Sequence, residues 1–473
     1  MRSSRANPLG EMRRAPASIP DWDTRLTAFL KRNPINGPGG MGKQYAARQD
    51  LARQYITGQI LPGERKSMQP ISSRVPGAAY DQIQHFITYS PWDPEATYDG
   101  VIRTMAKEAS GSSAGLIIDD TGNPKQGSHS PGVSRQHCSA TGNVNNCQVA
   151  VTCACALPGT PRNADVVVWS VGMRLYLPKT WTEDPVRRRE VGIPDDIIFH
   201  TKTDLALDII ANARHFGVRH RFIGADTFYG DLGPFRAQLR AWIEPYVLAV
   251  TTGELRVVPA DIQIHAAGTR RGRLGRLCTR PWLDSSVKTQ SPAEIAASIQ
   301  QWRQVSWGTG TKGPLEGDFA RVRVRVCQGN RYPTEELAWL LLERRPEELR
   351  AYLCWGLDHC SLEDLVRMAH LRWSVEEIHE ELKRELGWDH FEGRKWLGWH
   401  HHAVLSQMAL AFLAWLRMQT PRAPKESYPT LPEVRREIVR RLVASLIEEA
   451  NEGPPIEREE KLHYLEDLVR FAG

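Results

Sequence analysis

The stretch "AGLIIDD", residues 114–120, is a short apolar run that ends in two acids. Its length and branched side chains predict a buried strand, and the acids past the last apolar residue predict carboxylates at a solvent-accessible strand end. A second run of this kind, "RFIGAD" (221–226), ends in Asp226. Between them, "CQVAVTCACAL" (147–157) and "ADVVVWSVGMRLYLP" (164–178) are β-rich and extend the first run into an antiparallel meander. "DLALDIIANARHFG" (204–217) then has helical periodicity. After Asp226, "GPFRAQLRAW" (233–242) predicts a helix and "PYVLAVT" (245–251) a strand.

Meander, helix, strand, helix, strand over residues 111–251 is the element order of a ribonuclease-H-like α/β core. Residues 252–356 change character to Gly, Thr and Arg-rich turns with strands such as "FARVRVRVC" (319–327) and "LAWLLLERR" (337–345), which predicts a β-rich insertion interrupting that core. "SLEDLVRMAHLRWSVEEIHEELKRELG" (361–387) predicts one long amphipathic helix, started by Ser361 with Asp364 three residues on, and residues 357–420 are expected to complete the core. Residues 46–110 read as an N-terminal helical region that binds DNA, residues 421–473 as a C-terminal helical tail. Residues 1–45 are rich in Arg, Pro, Gly and Asn and are expected to be a disordered basic tail.

The chain has 473 residues, 41% of them apolar, enough to bury a full core. Its net charge of +6 lies in local Arg clusters, which suits a polyanionic partner met along several surfaces. No apolar run approaches the roughly 18 residues needed to cross a bilayer, and the early arginines Arg2, Arg5, Arg13 and Arg14 precede no apolar signal core, so a cytoplasmic location without a membrane partner is expected. The eight cysteines form no repeated CxxC pair, and reduced, mostly buried thiols are expected.

Chemistry enters with the acids. Two-metal phosphoryl transfer needs hard oxygen ligands that converge from separate elements on ions about 3.5–4 Å apart. Asp119 or Asp120 and Asp226 are candidates from the two strand ends, and the helix adds a third. At about 100° per residue, Arg372, Glu376 and Lys383 fall within about 40° of one another, while Leu371, Val375, Ile378, Leu382 and Leu386 form a separate apolar stripe. Glu376 would then be a third carboxylate on a rigid mount, with basic neighbours positioned for phosphates. Each signal alone also describes an ordinary turn residue or a solvated helix face.

At these residues the chain resembles the transposases of the insertion sequence 701 family, within the larger superfamily that carries a Y-R-E-K signature around its catalytic Glu. "IIDDTGNPKQGSHSPGVSRQHCSATGNVNNCQVAV" (117–151) is similar to the first-aspartate block, "RLYLPKTWTEDPVRRREVGIP" (174–194) and "FHTKTDLALDII" (199–210) to the segments after it, and "ADTFYGDLGPFRAQL" (225–239) to the second-aspartate block. "WGTGTKGPL" (307–315) and "RWSVEEIHEELKRELGWDHFEGRKWLGWHHH" (372–402) continue the likeness in the same order. The resemblance implies Asp119, Asp226 and Glu376 as the catalytic, metal-holding acids, with Asp119 favoured over the alternate Asp120 by the D-x-T pattern, and Arg372 and Lys383 as the R and K of the signature. The Y falls on Ala369, and Thr227 and Phe228 stand where the family often has a small residue and Gly. It further implies two Mg²⁺ or Mn²⁺ ions per site, cleavage at transposon ends and strand transfer into target DNA. The partners implied are terminal inverted repeats, target DNA and a second copy of the chain, as a homodimer on DNA.

Other candidate DNA contacts are Lys125 and Arg135 (with Gln136) after the first aspartate, the Arg-rich loop with Arg270, Arg271 and Arg273, and Arg321 and Arg323 (with Arg325) alternating along one strand. Trp302 and Trp307 are candidates for stacking on an unpaired base. Arg65 and Lys66 fall in the N-terminal helices, where no helix-turn-helix signature singles out a recognition helix. The consecutive His400, His401 and His402 point in different directions on a helix and suit packing better than a metal site. Two other readings share the features: a ribonuclease-H-fold nuclease that cuts without strand transfer, and a non-catalytic DNA-binding regulator derived from a transposase.

Overall fold

The computed structural model describes residues 22–38, 42–158, 166–271, 275–310, 313–329, 332–419, 430–431 and 433–441. Five helices come first: α1 (Trp22–Arg32), α2 (Lys43–Ile60), α3 (Met68–Arg74), α4 (Tyr80–Thr88) and α5 (Pro94–Glu108). Strands β1 (Gly115–Pro124), β2 (Ser134–Cys138), β3 (Asn143–Leu157) and β4 (Val167–Leu175) follow, then α6 (Lys179–Thr182), α7 (Pro185–Val191) and α8 (Lys202–His215). Next are β5 (Phe222–Ala225), α9 (Thr227–Gly230), α10 (Gly233–Ala241), β6 (Tyr246–Val250), β7 (Arg256–Pro259) and α11 (Pro292–Ser298). Strands β8 (Arg303–Gly310), β9 (Gly313–Gln328), β10 (Tyr332–Arg344) and β11 (Leu349–Trp355) lead to α12 (Leu362–His370), α13 (Trp373–Glu380) and α14 (Trp396–Gln419).

These elements fall into two compact units, one of residues 1–110, 120–219 and 376–473, the other of residues 111–119 and 220–375. Strand β1 passes from the second unit to the first after Asp119, and α13 does so after Val375.

In the first unit β3 pairs antiparallel with β2 and with β4, and α8 covers β3 and β4. Helix α14 packs against α2, α4, α5 and β4. It is apolar almost all round, as a helix surrounded by other elements must be, and its residues from Gly398 to Leu416 are buried apart from His400. The stretch 22–38 corrects the expected tail. Helix α1 buries Trp22, Leu26, Phe29 and Leu30, and Phe29 lies 5.7 Å from the Phe412 ring and 5.9 Å from that of Trp415. Averaged composition hides this one amphipathic stretch between Arg- and Pro-rich flanks. Residues 1–21 of that tail, and 421–429, 432 and 442–473 of the expected C-terminal tail, lie outside the described residues.

The second unit is built on a mixed sheet with the strand order β1-β5-β6-β11-β10-β9-β7, and β8 also pairs with β9. The pairs β1–β5 and β5–β6 are parallel, and the others antiparallel. Parallel neighbours need a crossover, and α9 with α10 supplies the one between β5 and β6. The strands of residues 252–356 continue this same sheet, since β11 lies against β6 with Leu353 opposite Leu248. The fold class is therefore mixed α/β with a large mixed sheet. Helix α12 lies against β5, β6, β8 and β9, and its start is capped as expected, Ser361 Oγ accepting from the Asp364 amide at 3.1 Å.

The single helix expected over 361–387 is corrected to three pieces. Helix α12 ends at His370, Leu371 and Arg372 form a turn, and α13 runs into a π-helical turn at Glu381–Glu385 in which the Leu386 amide donates to the Glu381 carbonyl at 3.1 Å. The apolar stripe is nonetheless buried: Leu371, Val375, Ile378, Leu382 and Leu386 are all 7% exposed or less. A π turn adds a residue to the repeat, so the 100° spacing of an unbroken α-helix does not hold through Glu381–Glu385. Within this turn, burial and the neighbouring Glu377 carboxylate push the Glu381 carboxyl up to about 8. The folded chain then keeps a proton that the unfolded chain releases, and stability should fall as pH rises from about 4.5 to about 8. Glu381→Gln removes that titration. Its melting temperature should exceed the parent's at pH 8.5 and converge on it near pH 5, and equal shifts at both values would refute the burial argument.

Among the described residues no helix is long and apolar enough to cross a membrane. All eight cysteines are free thiols, buried except for half-buried Cys278, and burial pushes Cys155 up to about 12, which keeps it unreactive.

Candidate active site

The buried residues Leu116, Ile117 and Ile118 of β1, and Phe222, Ile223 and Ala225 of β5, hold two parallel strands in register, Ile118 opposite Ala225. Asp119 follows Ile118 within β1, which runs on to Pro124, and Asp226 follows Ala225, the last residue of β5. The parallel pairing of the two strands runs up to Ile118 and Ala225, so each aspartate directly follows the last paired residue of its strand. The carboxyl ends of parallel strands are the edge of an open α/β sheet at which ligands bind. Asp226 also caps α9, its Oδ1 accepting from the Tyr229 amide at 3.4 Å. Arg372, in the turn between α12 and α13, places Nη1 3.9 Å from Asp119 Oδ2, and both side chains are partly exposed.

Asp120 is the next residue on the strand and points to the opposite face. Its Oδ2 accepts from Lys202 Nζ at 2.5 Å, each side chain 18% exposed. Lys202 opens α8, and its ring neighbour is Tyr176 at 5.7 Å. Sequence reasoning did not single out Lys202, because a partner 82 positions away leaves no mark in local spacing. Glu376 belongs to the first unit, in the first turn of α13, and is exposed while Val375 and Ile378 beside it are buried. Among the described residues, no group of three or more His, Cys, Asp or Glu side chains stands ready-made around a metal position. The donor chemistry still fits a hard divalent cation, because the carboxylates of Asp119 and Asp226 offer oxygen ligands and Asp119 is partly exposed to water.

The remaining candidates have definite neighbours. Lys125 Nζ donates to the Phe391 carbonyl at 2.6 Å, and burial lowers its pKa to about 8 against the opposing pull of Asp389 and Glu392. Arg135 is exposed on β2, whereas Gln136 donates to the Cys147 carbonyl at 3.0 Å. Arg321 and Arg323 flank the Trp339 ring at 4.4 and 5.3 Å; Arg321 also donates to the Cys360 carbonyl and Arg323 pairs with Asp358. Arg325 donates to the Thr334 carbonyl. Trp307 stacks on His370 at 3.7 Å, and Trp302 lies under Arg344 at 4.9 Å. The alternating arginines and both tryptophans thus have neighbours within the second unit and remain partly exposed. Lys66, 1% exposed, donates to the carbonyls of Gln59 and Glu385. His401 stacks on Trp92 at 3.7 Å and His402 meets the Tyr55 hydroxyl at 2.8 Å, and burial lowers both below the usual imidazole range.

Arg270 and Arg271 are exposed, Arg271 lying 5.1 Å from the Trp282 ring, and Arg273 lies outside the described residues. If this loop meets phosphates, replacing Arg270, Arg271 and Arg273 by Gln should weaken DNA binding and flatten its logarithmic salt dependence by roughly 2–3, near 0.9 per lost contact. An unchanged slope would remove the loop from the interface.

Asp119 and Asp226, each following the last paired residue of parallel strands, with Arg372 against Asp119, stand in a mixed α/β fold with a large mixed sheet. The profile of a family described as DDE superfamily endonuclease matches residues 41–314, and the chain belongs to that family. It is similar to a protein named "Probable transposase for insertion sequence element IS701" from Microchaete diplosiphon, with 27% identity over 170 residues. That alignment takes in 36% of this chain and spans 40% of the relative's length.

Proposed function

We propose that this chain is a DNA transposase that cuts transposon ends and joins them to target DNA, on a ribonuclease-H-like core interrupted by residues 252–356. The register of Ile118 with Ala225, each followed directly by an aspartate, carries the reading. Family membership and the likeness to a probable insertion-sequence transposase support it.

Asp119, Asp226 and Glu376 would hold Mg²⁺ or Mn²⁺, two per site. The ions supply Lewis acidity and an activated oxygen nucleophile. Asp120 is held instead by Lys202, which supports Asp119 as the first ligand. Arg372, beside Asp119, is placed to take a phosphate oxygen, and Lys383 contributes positive charge to the DNA path. In the first step a water oxygen bonds to the scissile phosphorus and the P–O3′ bond breaks, the 3′ oxygen leaving with a proton as a hydroxyl. In the second step that hydroxyl attacks a target phosphodiester, forming one P–O bond as another breaks. No covalent protein–DNA intermediate is required, and concerted cutting of two ends calls for two copies of the chain.

The test is cleavage of a labelled duplex carrying the inverted repeats that flank the gene, with Mg²⁺ or Mn²⁺ and with chelator. Metal-dependent nicking at the repeat boundary is expected. Tight repeat binding without cleavage would favour the regulator, and cleavage without joining the simple nuclease.

A further inference from the structure

In the first unit, α2, α3, α4 and the loop at Phe391–Glu392 enclose a hollow of about 470 Å³. Its inner wall is aromatic: Phe391 is 4% and Tyr55 1% exposed. Tyr80, the first residue of α4, lines the same hollow and is 46% exposed. Arg65 and Arg74 stand there against a single carboxylate, Glu392. Arg74 is tied to the carbonyls of Pro62 and Arg65, which holds its guanidinium at the wall. Arg65 pairs with Glu392 at 2.8 Å, but the two side chains are 64% and 66% exposed, and an ion pair so open to water is weak and easily exchanged for a better anion.

Aromatic surface for a π face, guanidinium groups for a phosphate and a volume in the range of small-ligand pockets together match one chemical unit, a nucleotide. We propose that the hollow between α3, α4 and Phe391 takes a single nucleotide, its base against Tyr80 and its phosphate on Arg65. An unpaired nucleotide of a DNA strand is the source this assignment favours, a choice that rests on the transposase reading. A free mononucleotide offers the same chemistry.

The probes are a fluorescein-labelled 20-mer of thymidylate and thymidine 5′-monophosphate, titrated into the full chain and followed by anisotropy. Tyr80→Ala should weaken strand binding about tenfold, Tyr80→Phe should keep it, and Arg65→Gln should weaken it and reduce its salt dependence. Because Tyr80 is half exposed, these variants should melt with the parent. A mononucleotide that competes only at millimolar concentration identifies the DNA strand as the occupant, whereas micromolar binding lost in Tyr80→Ala identifies the free nucleotide. Strand and mononucleotide binding both unchanged in Tyr80→Ala overturns the proposal. Failure of the parent to cleave repeat DNA would count against the transposase reading alone, since the binding arms do not depend on cleavage.

Discussion

Asp226→Asn should abolish metal-dependent DNA cleavage while leaving the fold and DNA binding intact. The substitution keeps the size of the side chain and its ability to cap α9, since Asn caps helices as well as Asp does. What it removes is a charged oxygen. Losing a group that merely supports a metal ligand costs about 10–100-fold, so losing the ligand should exceed a hundredfold. Asp119→Asn should behave alike. Asp120→Asn is the control within the same strand: it breaks the pair with Lys202, and cleavage should stay within a few-fold of the parent. The measurement is single-turnover cleavage of the labelled repeat duplex beside a gel shift on the same DNA. Parent-like cleavage by Asp226→Asn, or an Asp120→Asn defect as deep as that of Asp119→Asn, would reverse the assignment of the first strand's ligand or remove the strand-end site altogether.

Glu376→Gln carries the second large effect. Glu376 is exposed and its helix is anchored by Val375 and Ile378 on the buried side, so the substitution should not disturb packing. As a metal ligand its loss should lower cleavage by at least about a hundredfold with binding retained. As one member of an exposed helix-face ion pair it would contribute only about 0.3–0.5 kcal/mol, and cleavage would hardly change. Mn²⁺ in place of Mg²⁺ should recover part of the activity of the Gln variant, because Mn²⁺ generally binds nitrogen and oxygen sites more readily than harder ions do. Cleavage by Glu376→Gln indistinguishable from the parent would take Glu376 out of the catalytic set.

The two strands were legible because short apolar runs report burial directly, and the second run does end before Asp226. The first does not end at its acids, since β1 continues through Asp119 and Asp120 to Pro124 with Thr121, Gly122 and Asn123 buried. The stripe Leu371, Val375, Ile378, Leu382 and Leu386 was legible too, since its spacing states which side of the chain faces the core, and every member is buried. Helix α1 was missed for the opposite reason. Its four buried residues are diluted by flanks that dominate the composition, and their burial depends on meeting Phe412 and Trp415 nearly 400 positions away.

What the sequence determined by itself is therefore local and periodic: which runs are strands, which faces are apolar, where carboxylates follow a buried segment, and, through the order of its blocks, the family. Tertiary structure decided everything that depends on partners distant along the chain. The parallel register of Ile118 with Ala225 and the Lys202 ion pair that engages Asp120 join segments about a hundred residues apart. The nearness of the Trp339 ring to Arg321 and Arg323 likewise joins two strands in a way that the spacing within either strand does not show. The break at Leu371–Arg372 and the π turn at Glu381–Glu385 are decided the same way, because side-chain spacing reports which face is buried but not how many residues the backbone spends in making each turn.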